Sequence, residues 1–509
     1  MRRGVAGVAL CVAAVAGSPA FAQVGLGGPT SDIWQTGTSP IPQLYVARQT
    51  PNGQPAAPAG PVSNQPAQAY PSWYPQPVGT PVAGGTLVTG VTLGSFYDDN
   101  VFAANTGRMG DWAFFERPEF SWIKEGQNYT LATDGFIEGQ EYAKFSSEDQ
   151  INGALGAGFT VMPDNNTQIV GSARYLHGHL DRGASETVFT NAAGMSQLLS
   201  TTFAHPVAYD EGLESLALNK RYGNWWSSIG AAGLEINYQN PTIGAIGGPT
   251  ALTGTPVDLS YADGAIGSAH GRIGYVVKPL TSVFVEAAGN TRDWQVSYFD
   301  SDGYRLDAGM LFEQGPGARL KGEFWGGYMG QTYDGVTMQA ISSWTYGLSM
   351  SAILTDNVTA VVVGSREAKE AALGLATLPS CALGASTTTC SADGTMVPAV
   401  GAVCVSTIES LIGGRLDYHV APKWVLGAGA TYLEDEYQGP WALGRVDDTF
   451  SPLASVKYLL NANVTLGFDY RYLDFRSRGG AAPAGSPFVA VSALPYDANV
   501  YLLSMNARW

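Results

Sequence analysis

From Thr86 onward the chain alternates apolar and polar residues with a period of two, in segments of roughly ten residues separated by turn signals. The clearest segment lies near the end. Val464, Leu466, Phe468, Tyr470 and Tyr472 occupy one phase, and Thr465, Gly467, Asp469 and Arg471 occupy the other. On an extended strand the two sets project from opposite faces, so one face is apolar and the other polar. A soluble sandwich would bury such a face equally well, and only the number and arrangement of strands separates the two architectures. The pattern predicts strand starts near Thr86, Trp112, Tyr129, Asp149, Thr167, Val207, Trp225, Tyr261 and Thr281. Nine more follow near Tyr304, Ala318, Val336, Val358, Val403, Trp424, Val446, Val464 and Tyr496.

Short turn signals fall at Glu125–Asn128, Pro163–Asn166, Gly223–Asn224, Lys278–Leu280, Gln314–Gly317, Thr355–Asn357, Ala421–Lys423 and Asn461–Asn463. Between them run longer polar connections such as Arg182–Pro206, Gln239–Leu259, Glu370–Ala402 and Arg476–Pro495. If both ends of the strand region lie on the turn side, these turns join about 18 strands, with 16 the neighbouring count. The fold class that follows is all-β: a single-chain transmembrane antiparallel β-barrel over residues 86–509, with short periplasmic turns and long extracellular loops.

The N-terminus fits export. Arg2 and Arg3 precede an apolar stretch from Val5 to Ala16, and Ala20, Phe21 and Ala22 form a small-residue exit, so residues 1–22 read as a signal peptide and Gln23 as the mature start. Residues 23–85 are rich in Pro, Gly, Ala, Gln and Ser, with prolines every few positions from Pro51 to Pro81, and read as an extended, disordered periplasmic leader. No later stretch approaches the ~18 apolar residues of a spanning helix. Composition sharpens this picture: 64 glycines, 11% aromatic and only 14% charged residues, against a typical ~25% charged, are unlike a soluble enzyme of 509 residues. Mean hydropathy near zero is what alternation produces.

The last strand carries a second signal. Tyr501, Leu503, Met505 and the terminal Trp509 share the apolar phase, alternating with Ser504, Asn506 and Arg508. This resembles the C-terminal signature by which outer-membrane barrels are recognised for assembly. At the other end, Gly94, Ser95, Phe96, Tyr97, Asp98, Asp99, Asn100, Val101 and Phe102 contain a Tyr-Asp-Asp-Asn-aliphatic motif. It resembles the first strand of the putative β-barrel porin 2 group. The resemblance implies a porin-like barrel, with some relatives thought to serve exopolysaccharide secretion, and it fixes no substrate.

Candidate chemistry is sparse. Cys381 and Cys390, with Cys404 nearby, sit in one Ser-, Thr- and Gly-rich loop, where a disulfide is expected, most simply Cys381 with Cys390. No cofactor or metal is called for. The net charge of −16 becomes −18 once Arg2 and Arg3 leave, which argues against nucleic acid as a partner. The partners that remain are outer-membrane lipid and lipopolysaccharide, the barrel-assembly machinery, small hydrophilic solutes and further copies of the chain. On the predicted inward phase lie Arg174, His270, Arg272, Arg319, Lys321, Glu323, Arg415, Asp417, Asp469 and Arg471, candidates to line a pore. The alternative is that they pair with strand neighbours and solvate the wall. Of the five histidines, His177 and His179 beside Asp181 form the most enzyme-like group, yet none sits in a nucleophile-elbow or zinc motif. The reading is an outer-membrane channel of a Gram-negative cell for passive diffusion of small hydrophilic solutes. Exopolysaccharide export is second, with Trp325, Trp344 and Tyr346 either a sugar track on the lumen face or girdle aromatics at the membrane interface, and a barrel enzyme third.

Overall fold

The computed structural model describes residues 79–179, 182, 188–190, 196–198, 203–244, 253–260, 263–295, 297–312, 319–335, 338–372, 404–439, 442–480 and 494–509. The signal peptide, the leader up to residue 78, Cys381 and Cys390 lie outside the described residues. A short strand β1 (Thr80–Val82) is followed by β2 (Gly85–Asp98), β3 (Asp111–Glu125), β4 (Tyr129–Tyr142), β5 (Gln150–Asp164) and β6 (Thr167–His179). A small hairpin, β7 (Val188–Thr190) and β8 (Ser196–Leu198), forms a sheet of its own. The series continues with β9 (Ala208–Tyr222), β10 (Trp225–Tyr238), β11 (Gly264–Lys278), β12 (Thr281–Trp294), β13 (Ser301–Phe312) and β14 (Leu320–Tyr333). It ends with β15 (Ile341–Thr355), β16 (Val358–Ala372), β17 (Cys404–Ala421), β18 (Trp424–Tyr437), β19 (Val446–Leu459), β20 (Val464–Arg478) and β21 (Tyr496–Arg508).

The eighteen long strands pair antiparallel in chain order, and β21 pairs with β2, so the sheet closes on itself. The expected strand starts lie within three residues of those observed, with one exception. The strand expected at Val336 begins at Ile341, because the chain first turns, Met338 N–H donating to the Gly335 carbonyl at 2.9 Å. Thr80–Val82 forms a hairpin with the start of β2 through Ala83 (φ 52°) and Gly84 (φ 76°), a two-residue turn with both residues left-handed.

Alternation sorts the side chains cleanly. In β11, Ile266, Ser268, His270 and Arg272 are buried on the inner face, while Ala265, Ala269, Gly271 and Ile273 are exposed on the outer one. The outer face carries two aromatic girdles. Near the short turns stand Tyr222, Trp225, Tyr275 and Trp424, with Trp225 and Tyr275 centroids 5.0 Å apart. Near the long connections stand Trp112, Tyr175, Tyr304, Tyr328 and Trp344. Ile229, Val285, Leu416 and Leu503 lie between them. An apolar band bounded by aromatic residues is the exterior that a bilayer demands.

The seam between the first and last long strands is held at both ends. At the turn end, Thr89 and Trp509 exchange backbone hydrogen bonds of 2.9 and 3.0 Å. At the loop end the Tyr-Asp-Asn motif closes the seam. Asp99 accepts the backbone N–H of Asn499 at 2.7 Å and its side-chain amide at 2.8 Å. Asn100, fully buried, donates its amide to the carbonyls of Asp497 at 2.8 Å and Ala104 at 2.9 Å. The motif therefore serves closure. Replacing Asn100 by Ala strands two carbonyls and is expected to destabilise the barrel by about 1–3 kcal/mol, whereas Asn105→Ala, at an exposed contact, costs less than about 0.5 kcal/mol. Urea unfolding midpoints of vesicle-reconstituted protein check the difference.

Candidate functional site

On the inner face, one row of the ladder runs Trp226, Gly274, Phe284, Gly309, Trp325 and Gly347 across six neighbouring strands, β10 to β15. Aromatic and glycine alternate. A Cβ at Gly274 would lie 2.2 Å from the Trp226 indole, one at Gly309 2.6 Å from the Phe284 ring, and one at Gly347 2.2 Å from the Trp325 indole. Each ring thus lies down over the next strand's backbone, which only glycine permits. Rings that would otherwise stand into the lumen are instead part of the wall.

Charged residues cover that row. The Arg272 guanidinium lies 4.1 Å from the Phe284 ring centroid, and that of Arg305 lies 4.1 Å from a Trp325 ring centroid. Arg272 donates to Glu286 at 2.5 Å and, reaching past two strands, to Glu323 at 2.6 Å. Arg305 donates to Glu286 at 2.7 Å and is ion-paired with Asp307 at 2.5 Å. The Arg272 side chain is 1% exposed and that of Glu286 3%. Towards the loop end, Gln331 donates to Asn290 and Ser301 at 3.0 and 2.8 Å. Gln331 and Asn290 line a cavity of about 40 Å³ together with Arg292, Arg305 and Glu367. Elsewhere on the wall Arg415 meets Asp417 at 3.0 Å and Ser455 at 3.2 Å. Arg117 stands over Phe136 with Glu138 3.7 Å away.

Nine of the ten candidate pore-lining positions fall on the inward alternation. His270, Arg272, Arg415, Asp469 and Arg471 are buried against the wall, while Arg174, Glu323 and Asp417 are partly open. Lys321 holds an inward strand position, and its side chain lies outside what is described. Arg319 stands apart: it precedes β14 at the turn end, 62% exposed and paired with Asp356 at 2.9 Å. Glu286, Arg305 and Asp307 are central to the wall and were not singled out from the sequence. Their signal was the alternation itself, with Val283 and Val285, then Leu306 and Ala308, on the opposite phase.

The aromatic candidates divide. Trp325 faces inward, whereas Trp344 and Tyr346 face outward and stack with centroids 5.4 Å apart. His177 is also outward, its Nδ1 lying 2.8 Å from Asp210, and His179 at the end of β6 places its Nδ1 2.9 Å from Asn152. Among the described residues no group of three or more His, Cys, Asp or Glu converges on a metal position. None of their helices is long and apolar enough to cross a membrane.

A closed barrel with an apolar exterior and a charged interior defines the class: a transmembrane barrel of the outer-membrane type, built around a polar lumen. The chain belongs to the putative beta-barrel porin 2 family, whose profile matches residues 74–374 and 381–492. No curated protein matches the sequence. Among solved structures the chain is similar to the siderophore receptor PirA of Pseudomonas aeruginosa, at 10% identity and TM-score 0.36 over 85% of this chain and 81% of that one. It is likewise similar to OccK3 of the same organism (14% identity, TM-score 0.37, 83% and 95% covered) and to outer-membrane expressed OmpT of Vibrio cholerae (13%, 0.31, 85% and 100%).

Two substitutions test this wall. Glu286→Ala leaves two arginines facing each other without their shared acid and is expected to lower stability by about 3–5 kcal/mol, while Arg319→Ala changes it by less than about 0.5 kcal/mol. Urea midpoints in vesicles separate the two. Gly347→Ala already sets a Cβ 2.2 Å from the Trp325 indole, so it drives the ring off the wall and should reduce single-channel conductance relative to the unaltered chain.

Proposed function

We propose that the chain is an outer-membrane channel of a Gram-negative cell through which small hydrophilic solutes diffuse passively, without cofactor or catalysis. The observation that carries this reading is the polar, charged inner face, met on strands in every sector of a barrel whose outer face is apolar. An eighteen-strand barrel is wide enough to hold an aqueous channel. The first and last strand ends of the barrel and, among the described residues, seven tight turns share one rim, which we assign to the periplasm, and the longer connections share the other, which we assign to the cell exterior.

The wall charges act mainly as a fixed field. Arg272, Arg305 and Arg415 are neutralised by adjoining carboxylates, while Asp134, Glu211 and Asp469 add acid to the same face. An excess of inward acid favours cations over anions. Export of a polysaccharide would need exposed rings along the lumen, and the one inward member of the proposed track, Trp325, is buried beneath Arg305. Among the described residues an enzymatic role finds no group of three or more His, Cys, Asp or Glu drawn together.

The test is single-channel recording of the purified mature protein in a planar bilayer. A stable open current, with a reversal potential of the sign expected for cations under a salt gradient, is the expected result. A barrel that inserts yet passes no current overturns the diffusion reading, and reversible block by oligosaccharides would move it towards carbohydrate passage.

A further inference from the structure

At the loop end the outer face changes character. A strand crosses an apolar band of ~25 Å in about ten residues. Counted from Val464, β20 leaves the band near Asp474, just past the outward-facing Tyr470 and Tyr472. The next two residues on the same outward alternation are Arg476 and Arg478, whose side chains are 69% and 58% exposed. They therefore stand at the level of lipid headgroups rather than in the lumen.

Carboxylates beneath them hold the guanidinium planes. Asp474 accepts from Arg476 Nη2 at 2.7 Å. Asp448, on β19, accepts from Arg478 Nε and Nη2 at 2.6 and 2.9 Å, and Glu434, on β18, accepts from Nη2 at 3.3 Å. Tyr432 fixes Asp448 in turn, its hydroxyl donating at 2.5 Å. Asp448, Asp474 and Glu434 are 16%, 20% and 26% exposed. The acids are shielded and the arginines are not, so the face turned to the surroundings is cationic although the formal charges of the group sum to acid. The contacts use Nε and Nη2 and leave the Nη1 edge of each arginine outside them. Arginine's planar fork is suited to phosphate oxygens, and two forks held two residues apart on one strand present a paired donor site.

We propose that this outward patch on β18–β20 binds the phosphate groups of an anionic lipid in the outer leaflet. The partner is a phosphorylated lipid headgroup, recognised by Arg476 and Arg478, with the adjoining apolar belt taking the acyl chains. The leaflet follows from the orientation proposed above. The phosphate recognition follows from the patch alone.

The experiment measures binding of a bisphosphorylated lipid A, and of the same lipid with both phosphates removed, to the full mature chain in detergent by native mass spectrometry. The proteins compared are the unaltered chain, R476Q/R478Q, and R319Q at the opposite rim. The unaltered chain and R319Q are expected to bind the phosphorylated lipid alike, and R476Q/R478Q about tenfold or more weakly, the loss of charge-assisted hydrogen bonds at two sites. The dephosphorylated lipid is expected to bind all three equally and weakly. Undiminished binding by R476Q/R478Q, equal loss in R319Q, or failure of the unaltered chain to prefer the phosphorylated lipid overturns the proposal. Bilayer current is recorded on the same preparations. Both arginines lie outside the lumen, so a normal current in R476Q/R478Q shows that the variant folds and keeps failure of lipid binding distinct from failure of the channel reading.

Discussion

A strand in hydrocarbon has no water to satisfy its backbone N–H and C=O groups, and every one left unpaired costs several kcal/mol. Closure of the sheet is the only solution open to an all-β chain, and the rest of this structure follows from it. Eighteen strands pair in order, and the pairing of β21 with β2 removes the last free edge. That seam joins residues some four hundred positions apart, so it is fastened at both ends: by the Thr89 and Trp509 backbones at one rim, and by Asp99 and Asn100 at the other. Pro118 and Pro452 show what an interruption looks like. Each lacks a donor, and the pairing beyond it skips two residues, from Glu116 to Glu119 in β3 and from Phe450 to Leu453 in β19.

Closure also fixes which alternation faces water and which faces lipid, and the inner face then has to accommodate large side chains without filling the passage. Here glycine content becomes structural. Laying Trp226, Phe284 and Trp325 over Gly274, Gly309 and Gly347 turns three rings into wall, and the arginines stack on top of them. Guanidinium groups held between ring faces and carboxylates neither collapse into the lumen nor stand unpaired in it. The result is a lining that is charged, rigid and thin.

The exterior answers a different solvent on each level. Aliphatic residues cover the middle, aromatic pairs such as Trp225 with Tyr275 and Trp344 with Tyr346 mark the two boundaries, and beyond the loop-side boundary arginines replace them. Arg366 belongs to this outer series too. It faces outward over Trp344, with Glu436 3.1 Å away, although by its charge alone it would be assigned to the lumen.

Strand number, strand starts and the inward or outward phase of most residues are legible in the sequence because a period of two is a property of each strand by itself. Val464 to Tyr472 declare their faces without reference to any neighbour, and the eight tight turns are marked by local turn chemistry. The failures share a cause. The start of β15 at Ile341 follows a hydrogen bond from Met338 to Gly335 that local hydropathy does not encode, and Arg319 continues the phase of β14 yet sits before the strand begins. Trp344 and Tyr346, by contrast, share the apolar phase of β15 with Leu348 and Met350, opposite Thr345, Gly347 and Ser349, so their outward direction is written in the strand itself. Partnership was beyond local reading altogether. Arg272 reaches Glu323 past two intervening strands, and Asp99 meets Asn499 across the seam, because register and wall curvature bring them together. The alternating pattern decides what each strand turns to lipid and to the lumen; only the closed sheet decides which charges meet.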